Sequence, residues 1–198
     1  MKSVLISIKP KWVEKIVSGE KRIEVRKTAP KEVPFKCYIY MTQGTYKDLG
    51  LYSEWIYKNR MKVIGEFICD KVYNLVNAFG GIMFADENLN QLEPQLFRDM
   101  SCLTDEQTED YLGNKDGYGL HITDLKIYDK PKELSEFKRL NRTEENAPCA
   151  HTKWLYHDCK DCNECNLTRP PQSYMYVEEV KQYKVCKNKA YENVGRTL

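Results

Sequence analysis

The chain has 198 residues, 41% of them hydrophobic and 12% aromatic, and its 31 lysines and arginines against 29 aspartates and glutamates leave a net charge of +2. This composition is too apolar for an intrinsically disordered chain, and no apolar run approaches the roughly 20 residues that cross a bilayer, so we expect no membrane partner. A net charge near zero also gives no sign of a strongly basic nucleic-acid-binding protein. The length suits one domain, or one domain with a small appendage.

The first part of the chain predicts a strand, a helix, a glycine turn and a second strand. An apolar run opens the chain, and Pro10 suits the first turn of a helix whose apolar residues recur at helical spacing. Gly19 can adopt the left-handed conformation that ends a helix. Residues 23–26 then alternate with a period of two, which places Glu24 and Arg26 on the same face of a strand.

The middle of the chain predicts two further strands around one helix. The strands are expected at 37–41 and 61–69, and a tyrosine- and tryptophan-rich helix is expected at 49–57. Gly65 lies inside the second of these strands. A glycine there indicates a bulge or a close approach of another backbone.

A capped helix and a long strand follow. Thr104 and Gln107 have the spacing of a capping box, which predicts a short helix that stops at Gly113. Residues 118–128 predict a long strand whose apolar alternation changes phase once, as a bulge would require. With a last strand predicted near 173–177, the count favours an α+β domain around a mostly antiparallel or barrel-like sheet.

Charge is unevenly distributed along the chain. Residues 1–36 hold ten basic and four acidic residues (10 − 4 = +6), whereas residues 86–116 hold two basic and nine acidic residues (2 − 9 = −7). One interpretation is a basic surface beside an acidic one. The alternative is two ordinary solvated faces.

Four of the eight cysteines and two of the three histidines lie within residues 149–165, a polar segment without a core of its own. Cysteines with two residues between them can present two sulfurs to one ion, so the segment predicts a structural zinc site. An iron–sulfur cluster ranks second, and free surface thiols are the simplest alternative. Lys9 and Lys11 interrupt any signal-peptide core, so a cytoplasmic location without disulfides is expected. The predicted metal ligands are Cys149, Cys159, Cys162 and Cys165, with His151 or His157 as alternates.

The junction between the first helix and the following strand is dense in charge. If the strand extends back to Lys21, that side chain leaves on the side of Ile23 and Val25, where a buried lysine would have a lowered pKa or bind an anion. In the alternative, Lys21 is solvated in the turn while Glu24 and Arg26 make a cross-strand pair.

The spacing Gly19-x-Lys21-x-x-Glu24-x-Arg26, after a strand and a helix, resembles the signature of the ASCH (activating signal cointegrator homology) family of the PUA-like superfold. Three later elements also agree with this resemblance: the strand containing Gly65, the capped helix and the long strand. The resemblance implies an α+β fold: a small mixed β-barrel with flanking helices. The cysteine-rich segment is similar to a variant in phage and bacterial relatives. The domains implied are 1–140 completed by a strand at 173–180, a Cys/His insertion at 141–172, and a polar tail at 181–198.

The resemblance also implies a cleft, lined by the motif, that binds RNA or a modified nucleoside. Some bacterial relatives hydrolyse N4-acetylcytidine with a lysine, a threonine and a glutamate, and others are ribonucleases. Lys21 matches that lysine, but Glu24 stands at the threonine position and the glutamate has no counterpart. We expect an RNA- or modified-nucleoside-binding module, with a hydrolase in the same cleft, or a module that binds a protein partner, as alternatives.

Residues on other elements are candidates for the same cleft. Tyr118 or His121 could enter it from the long strand and Ser173 could close it, although each also suits an ordinary strand. The predicted catalytic residues are Lys21 and Glu24, and the predicted ligand-binding residues are Lys9, Lys21, Glu24, Arg26, Tyr118 and Ser173.

Overall fold

The structure, a computed structural model, describes residues 1–44, 53–78, 81–85, 92–113, 115–140 and 166–180. Within these ranges the chain forms two β-sheets and four α-helices, so the predicted α+β class is confirmed. None of the helices in these ranges has the length and apolar character needed to span a bilayer. In chain order the elements are β1 (Lys2–Ile8), α1 (Pro10–Val17), β2 (Ile23–Arg26), β3 (Phe35–Met41), α2 (Glu54–Lys58), β4 (Val63–Cys69), β5 (Val72–Ala78), β6 (Gly81–Ala85), α3 (Pro94–Ser101), α4 (Asp105–Leu112), β7 (Gly117–His121), β8 (Thr123–Lys132) and β9 (Tyr174–Val177).

The first sheet has the strand order β8-β4-β3-β1-β9. Within it, β1 lies parallel to β3 on one side and antiparallel to β9 on the other. Val4 and Ile6 pack into one apolar core, and Leu5 packs into a second core on the opposite face. Burial on both faces explains why β1 is a continuous apolar run and not an alternating one.

The second sheet has the strand order β2-β7-β5-β6, and α3 packs on β2. Ile23, Leu75 and Phe97 belong to the apolar core on this side. Gly19 has a φ of +80° and lies in the turn between α1 and β2. The predicted unit of strand, helix, glycine turn and strand is therefore confirmed.

The predicted long strand at 118–128 is divided between the two sheets. Its first part, β7, pairs with β2 and β5, and its second part, β8, pairs with β4. Ile122 lies at the division, and Asp124 just after it has a positive φ of 45°. The change of phase in the sequence thus marks the point where the chain passes from one sheet to the other. Among the described strands, the pairings form these two sheets and not one closed ring.

Gly65 lies where β4 and β8 come closest. A Cβ atom at this position would be 2.4 Å from the backbone oxygen of Lys126, and the strand register shifts beside it. Only glycine fits without displacing backbone, as its place in the sequence predicted.

The helices agree with the sequence in part. Thr104 Oγ1 accepts a hydrogen bond from Gln107 N at 3.1 Å and Thr104 N donates to Gln107 Oε1 at 3.3 Å, so the capping box before α4 is confirmed. The helix predicted at 49–57 is described only from 53 onward, and α2 begins at Glu54. No pattern in the sequence predicted α3.

The described residues on either side of 141–165 contact each other. Lys138 forms a β-bridge with Asn166, and Leu167 N donates to Phe137 O at 2.8 Å. The described residues that flank the cysteine-rich segment are therefore held side by side. The assignment of 141–172 as an insertion and of 181–198 as a tail remains a prediction.

Candidate functional site

A cleft of about 800 Å³ opens at the end of β1 and the beginning of α1. Its other walls come from β2, from α4 and from residues 170–172. Because α1 begins at Pro10, directly after β1, the lysines on either side of this proline lie at the mouth of the cleft.

Lys21 lies at the bottom of the cleft, just before β2. The backbone holds it there, since Lys21 N donates to Lys15 O at 2.9 Å and Arg22 N donates to Met100 O at 2.7 Å. Its side chain is buried, and its Nζ donates to Ser101 O at 2.6 Å. The alternative of a solvated lysine is therefore wrong.

The Lys21 ammonium turns towards Glu24, with 3.5 Å between Nζ and Oε2. Because β2 begins only at Ile23, the alternation of side chains along that strand does not set the direction of the Lys21 side chain. The prediction that Lys21 lies on the side of Ile23 and Val25, which assumed a strand extended back to Lys21, is therefore wrong. Burial lowers the pKa of Lys21 from its ordinary 10.5, against the opposing effect of the Glu24 carboxylate.

The lowered pKa of Lys21 predicts a pH dependence of stability. The native state releases this proton at a lower pH than the unfolded chain, so the wild type should gain stability relative to Lys21→Met as the pH rises towards 10.5. Urea unfolding of both proteins from neutral pH to 10.5 measures this difference. A difference that stays constant or shrinks over this window would contradict the burial of a lysine with a lowered pKa.

Glu24 connects the two cations of the motif. Its Oε1 lies 3.0 Å from Arg26 Nη2, and its other oxygen faces Lys21. Arg26 Nη2 also donates to Ser7 O at 2.6 Å, at the end of β1. Glu24 and Arg26 are each only 6% exposed, and they pair within β2, not across strands. One buried carboxylate thus faces two buried cations.

Two aromatic side chains line the cleft next to this charge cluster. The Trp12 ring lies under two ammonium groups, with Lys11 Nζ 4.3 Å and Lys21 Nζ 5.0 Å from its centroid. Tyr111, on α4, is 41% exposed, and Lys27 Nζ lies 5.4 Å from its ring centroid. In the sequence, Trp12 belongs to the apolar pattern of a helix, and no pattern singles out Tyr111.

Of the predicted ligand-binding residues, Lys9, Lys21, Glu24 and Arg26 line the cleft. Tyr118 pairs with Arg26 in the β2–β7 register but does not line it. His121 lies instead beside Asp70, with Nδ1 2.7 Å from Oδ1.

The segment before β9 forms a wall of the cleft, but not through the residue predicted. Ser173 Oγ hydrogen-bonds Thr28 Oγ1 at 2.5 Å and does not line the cleft. Its neighbours Pro171 and Gln172 do line it, and Ser7 Oγ donates to Pro171 O at 2.7 Å. The wall is thereby fixed to the end of β1.

The predicted metal ligands lie outside the described residues. Within the described ranges, no group of three or more His, Cys, Asp or Glu side chains could hold a metal ion. Cys37 and Cys69 are buried thiols of the core, and burial raises the pKa of Cys69 to about 12. A thiol with so high a pKa is neither a ready nucleophile nor a ready metal ligand.

Comparison with known proteins identifies the fold. No family model matches the chain, and no curated protein matches its sequence. Crystal structures of two single-residue mutants of the ASCH protein from Zymomonas mobilis match with a TM-score of 0.50 and 18% identity, over 90% of this chain and 92% and 89% of theirs. At this identity the likeness concerns the fold alone. The chain has the ASCH, PUA-like fold, as the sequence predicted.

Proposed function

We propose that the cleft binds single-stranded RNA or a modified nucleoside. The observation that carries the proposal is the buried cluster of Lys21, Glu24 and Arg26 on the floor of an open cleft with Trp12 and Tyr111 on its walls. Aromatic side chains stack on unpaired bases, and charged groups beside them hydrogen-bond base edges or phosphates. A cavity of about 800 Å³ is also large enough for a nucleotide-sized ligand.

The local charge of the cleft supports the same ligand class. Four cationic side chains line it, against the two carboxylates of Glu24 and Asp110, which gives a local balance of 4 − 2 = +2. A cleft of this sign attracts a polyanion even though the whole chain is nearly neutral. Binding of RNA should therefore weaken as salt rises from about 50 to 200 mM. The cations are Lys9, Lys11, Lys21 and Arg26.

Tyr111→Ala tests the proposal, with Tyr57→Ala as its matched control. Both tyrosines are exposed, at 41% and 53%, but only Tyr111 lines the cleft. Losing one stacking ring should weaken the binding of a fluorescent single-stranded oligoribonucleotide by about tenfold, measured by anisotropy, and Tyr57→Ala should bind like the wild type. Equal affinities of Tyr111→Ala and the wild type, or binding that does not respond to salt, would overturn the proposal.

A second candidate is a hydrolase acting in the same cleft, and the buried Lys21 favours it. A lysine whose pKa burial has lowered can exchange a proton with a bound substrate. Turnover of N4-acetylcytidine or RNA that disappears in Lys21→Ala would support this candidate. No turnover across a panel of acylated nucleosides and RNAs would count against it.

We further propose that the cysteine-rich segment 149–165 holds a structural zinc ion. The support is the cysteine spacing, together with the contact between the residues on either side of the segment, where Lys138 bridges Asn166. The zinc would stiffen this segment and take no part in chemistry.

A further inference from the structure

Arg26 carries a hydrogen-bond donor that the fold does not use. Its side chain lies in the wall of the cleft and is 6% exposed, and Nη2 is held by Ser7 O and Glu24. Its Nε is buried and has no hydrogen-bond partner among the described residues. A buried N–H without an acceptor is unfavourable, so this donor is suited to an acceptor supplied by a ligand.

The beginning of α1 adds positive charge next to this donor. Ser7, whose carbonyl holds the guanidinium, is three residues before Pro10, where α1 begins. The first turn of α1 has no acidic residue, and its N-cap, Lys9, makes no side-chain capping bond. Lys9 and Lys11 both line the cleft. Cations at a helix N-terminus oppose the helix dipole, and an anion bound there would relieve that repulsion.

The two carboxylates that line the cleft, Glu24 and Asp110, do not neutralise its four cations. Glu24 is already shared between Lys21 and Arg26. Glu14, the first acidic residue of α1, accepts a hydrogen bond from Ser53 N at 3.3 Å. The cations at the start of α1 therefore have a surplus that a bound anion can balance.

We infer that this end of the cleft is a phosphate subsite, formed by Arg26 Nε, Lys9, Lys11 and the N-terminus of α1. The inference rests on the proposed function and narrows it: the ligand is a phosphate ester of a nucleoside, not a free nucleoside. The phosphate accepts from Nε and is neutralised by the two lysines, while the base lies towards Trp12 and Tyr111. The phosphate of a mononucleotide and the backbone phosphate of RNA share this chemistry.

Calorimetric titration with cytidine and cytidine 5′-monophosphate tests the subsite. The monophosphate should bind about tenfold more tightly or better, since charge-assisted hydrogen bonds to a phosphate are absent for cytidine. The double variant Lys9→Ala/Lys11→Ala should lose that advantage and bind cytidine and its monophosphate with nearly equal affinity. The exposed pair Lys31→Ala/Lys130→Ala, outside the cleft, should keep it.

Arg26→Lys is a second variant, because it keeps the charge and removes the planar Nε donor. This variant should weaken the binding of the monophosphate more than the binding of cytidine. Thermal unfolding of the variant, measured in parallel, checks that it is folded. Comparing the dinucleotide CpC with its 5′-phosphorylated form then distinguishes a backbone phosphate from a terminal one. Equal binding of cytidine, the monophosphate and CpC would overturn the subsite and leave the proposed function standing. Absence of binding by every ligand would overturn both.

Discussion

Glu24→Gln should lower the free energy of unfolding by about 3–5 kcal/mol, because removing one member of a buried ion cluster leaves its partners uncompensated. In the wild type, one carboxylate lies between the Lys21 ammonium and the Arg26 guanidinium, and all three groups are buried. The neutral amide leaves two cations facing each other in a poorly solvated site. Urea unfolding at neutral pH measures the loss.

Glu20→Gln is the matched control for Glu24→Gln. Glu20 also pairs with a lysine, at 2.9 Å from Lys15 Nζ, but its side chain is 58% exposed. An exposed pair of this kind contributes at most about 1 kcal/mol. Similar losses in the two variants would mean that Glu24 is not the centre of a buried cluster.

Purified protein should contain about one zinc ion per chain, and Cys162→Ser/Cys165→Ser should lose it. The expectation follows from the cysteine spacing at 149–165, where pairs two residues apart can share one ion. Elemental analysis of protein prepared without chelator measures the content directly. Cys102→Ser, a change to a partly buried cysteine elsewhere in the fold, should keep the metal.

The metal analysis also separates zinc from its alternatives. Iron with visible absorbance would indicate a cluster instead of zinc. Less than about half an equivalent of any metal would contradict a metal site in this segment and would favour free thiols.

Features fixed by neighbouring residues were predictable from the sequence. The capping box of Thr104 and Gln107 and the left-handed Gly19 each depend on a few adjacent residues, and both are found as expected. The close approach at Gly65 follows from the same kind of local reasoning. The apolar alternation of the long strand changes phase near Ile122. That change predicted an irregularity in the strand, but it did not show that the chain passes there from one sheet to the other.

Features that depend on distant residues were not predictable. The ammonium of Lys21 is held by the Ser101 carbonyl, 80 residues away, at the end of a helix that no pattern revealed. Tyr111 comes to the cleft because Leu112, its neighbour at the end of α4, packs into the same core as Ile23 and Val25 of β2, and no local pattern in the sequence indicates that contact. The prediction of Tyr118 and Ser173 as cleft residues failed for the same reason. Tyr118 pairs with Arg26 and Ser173 follows Gln172, but the side chains of Tyr118 and Ser173 do not line the cleft.

Nuclear magnetic resonance titration of labelled protein with a single-stranded oligoribonucleotide tests the central claim most directly. We predict that the largest shifts occur at Lys11, the Trp12 indole, Tyr111 and Gln172, which line the cleft. Val76 and Met83, exposed on the second sheet, should hardly move. Shifts that are largest on the second sheet, or no shifts at saturating RNA, would contradict a ligand-binding cleft built on Lys21, Glu24 and Arg26.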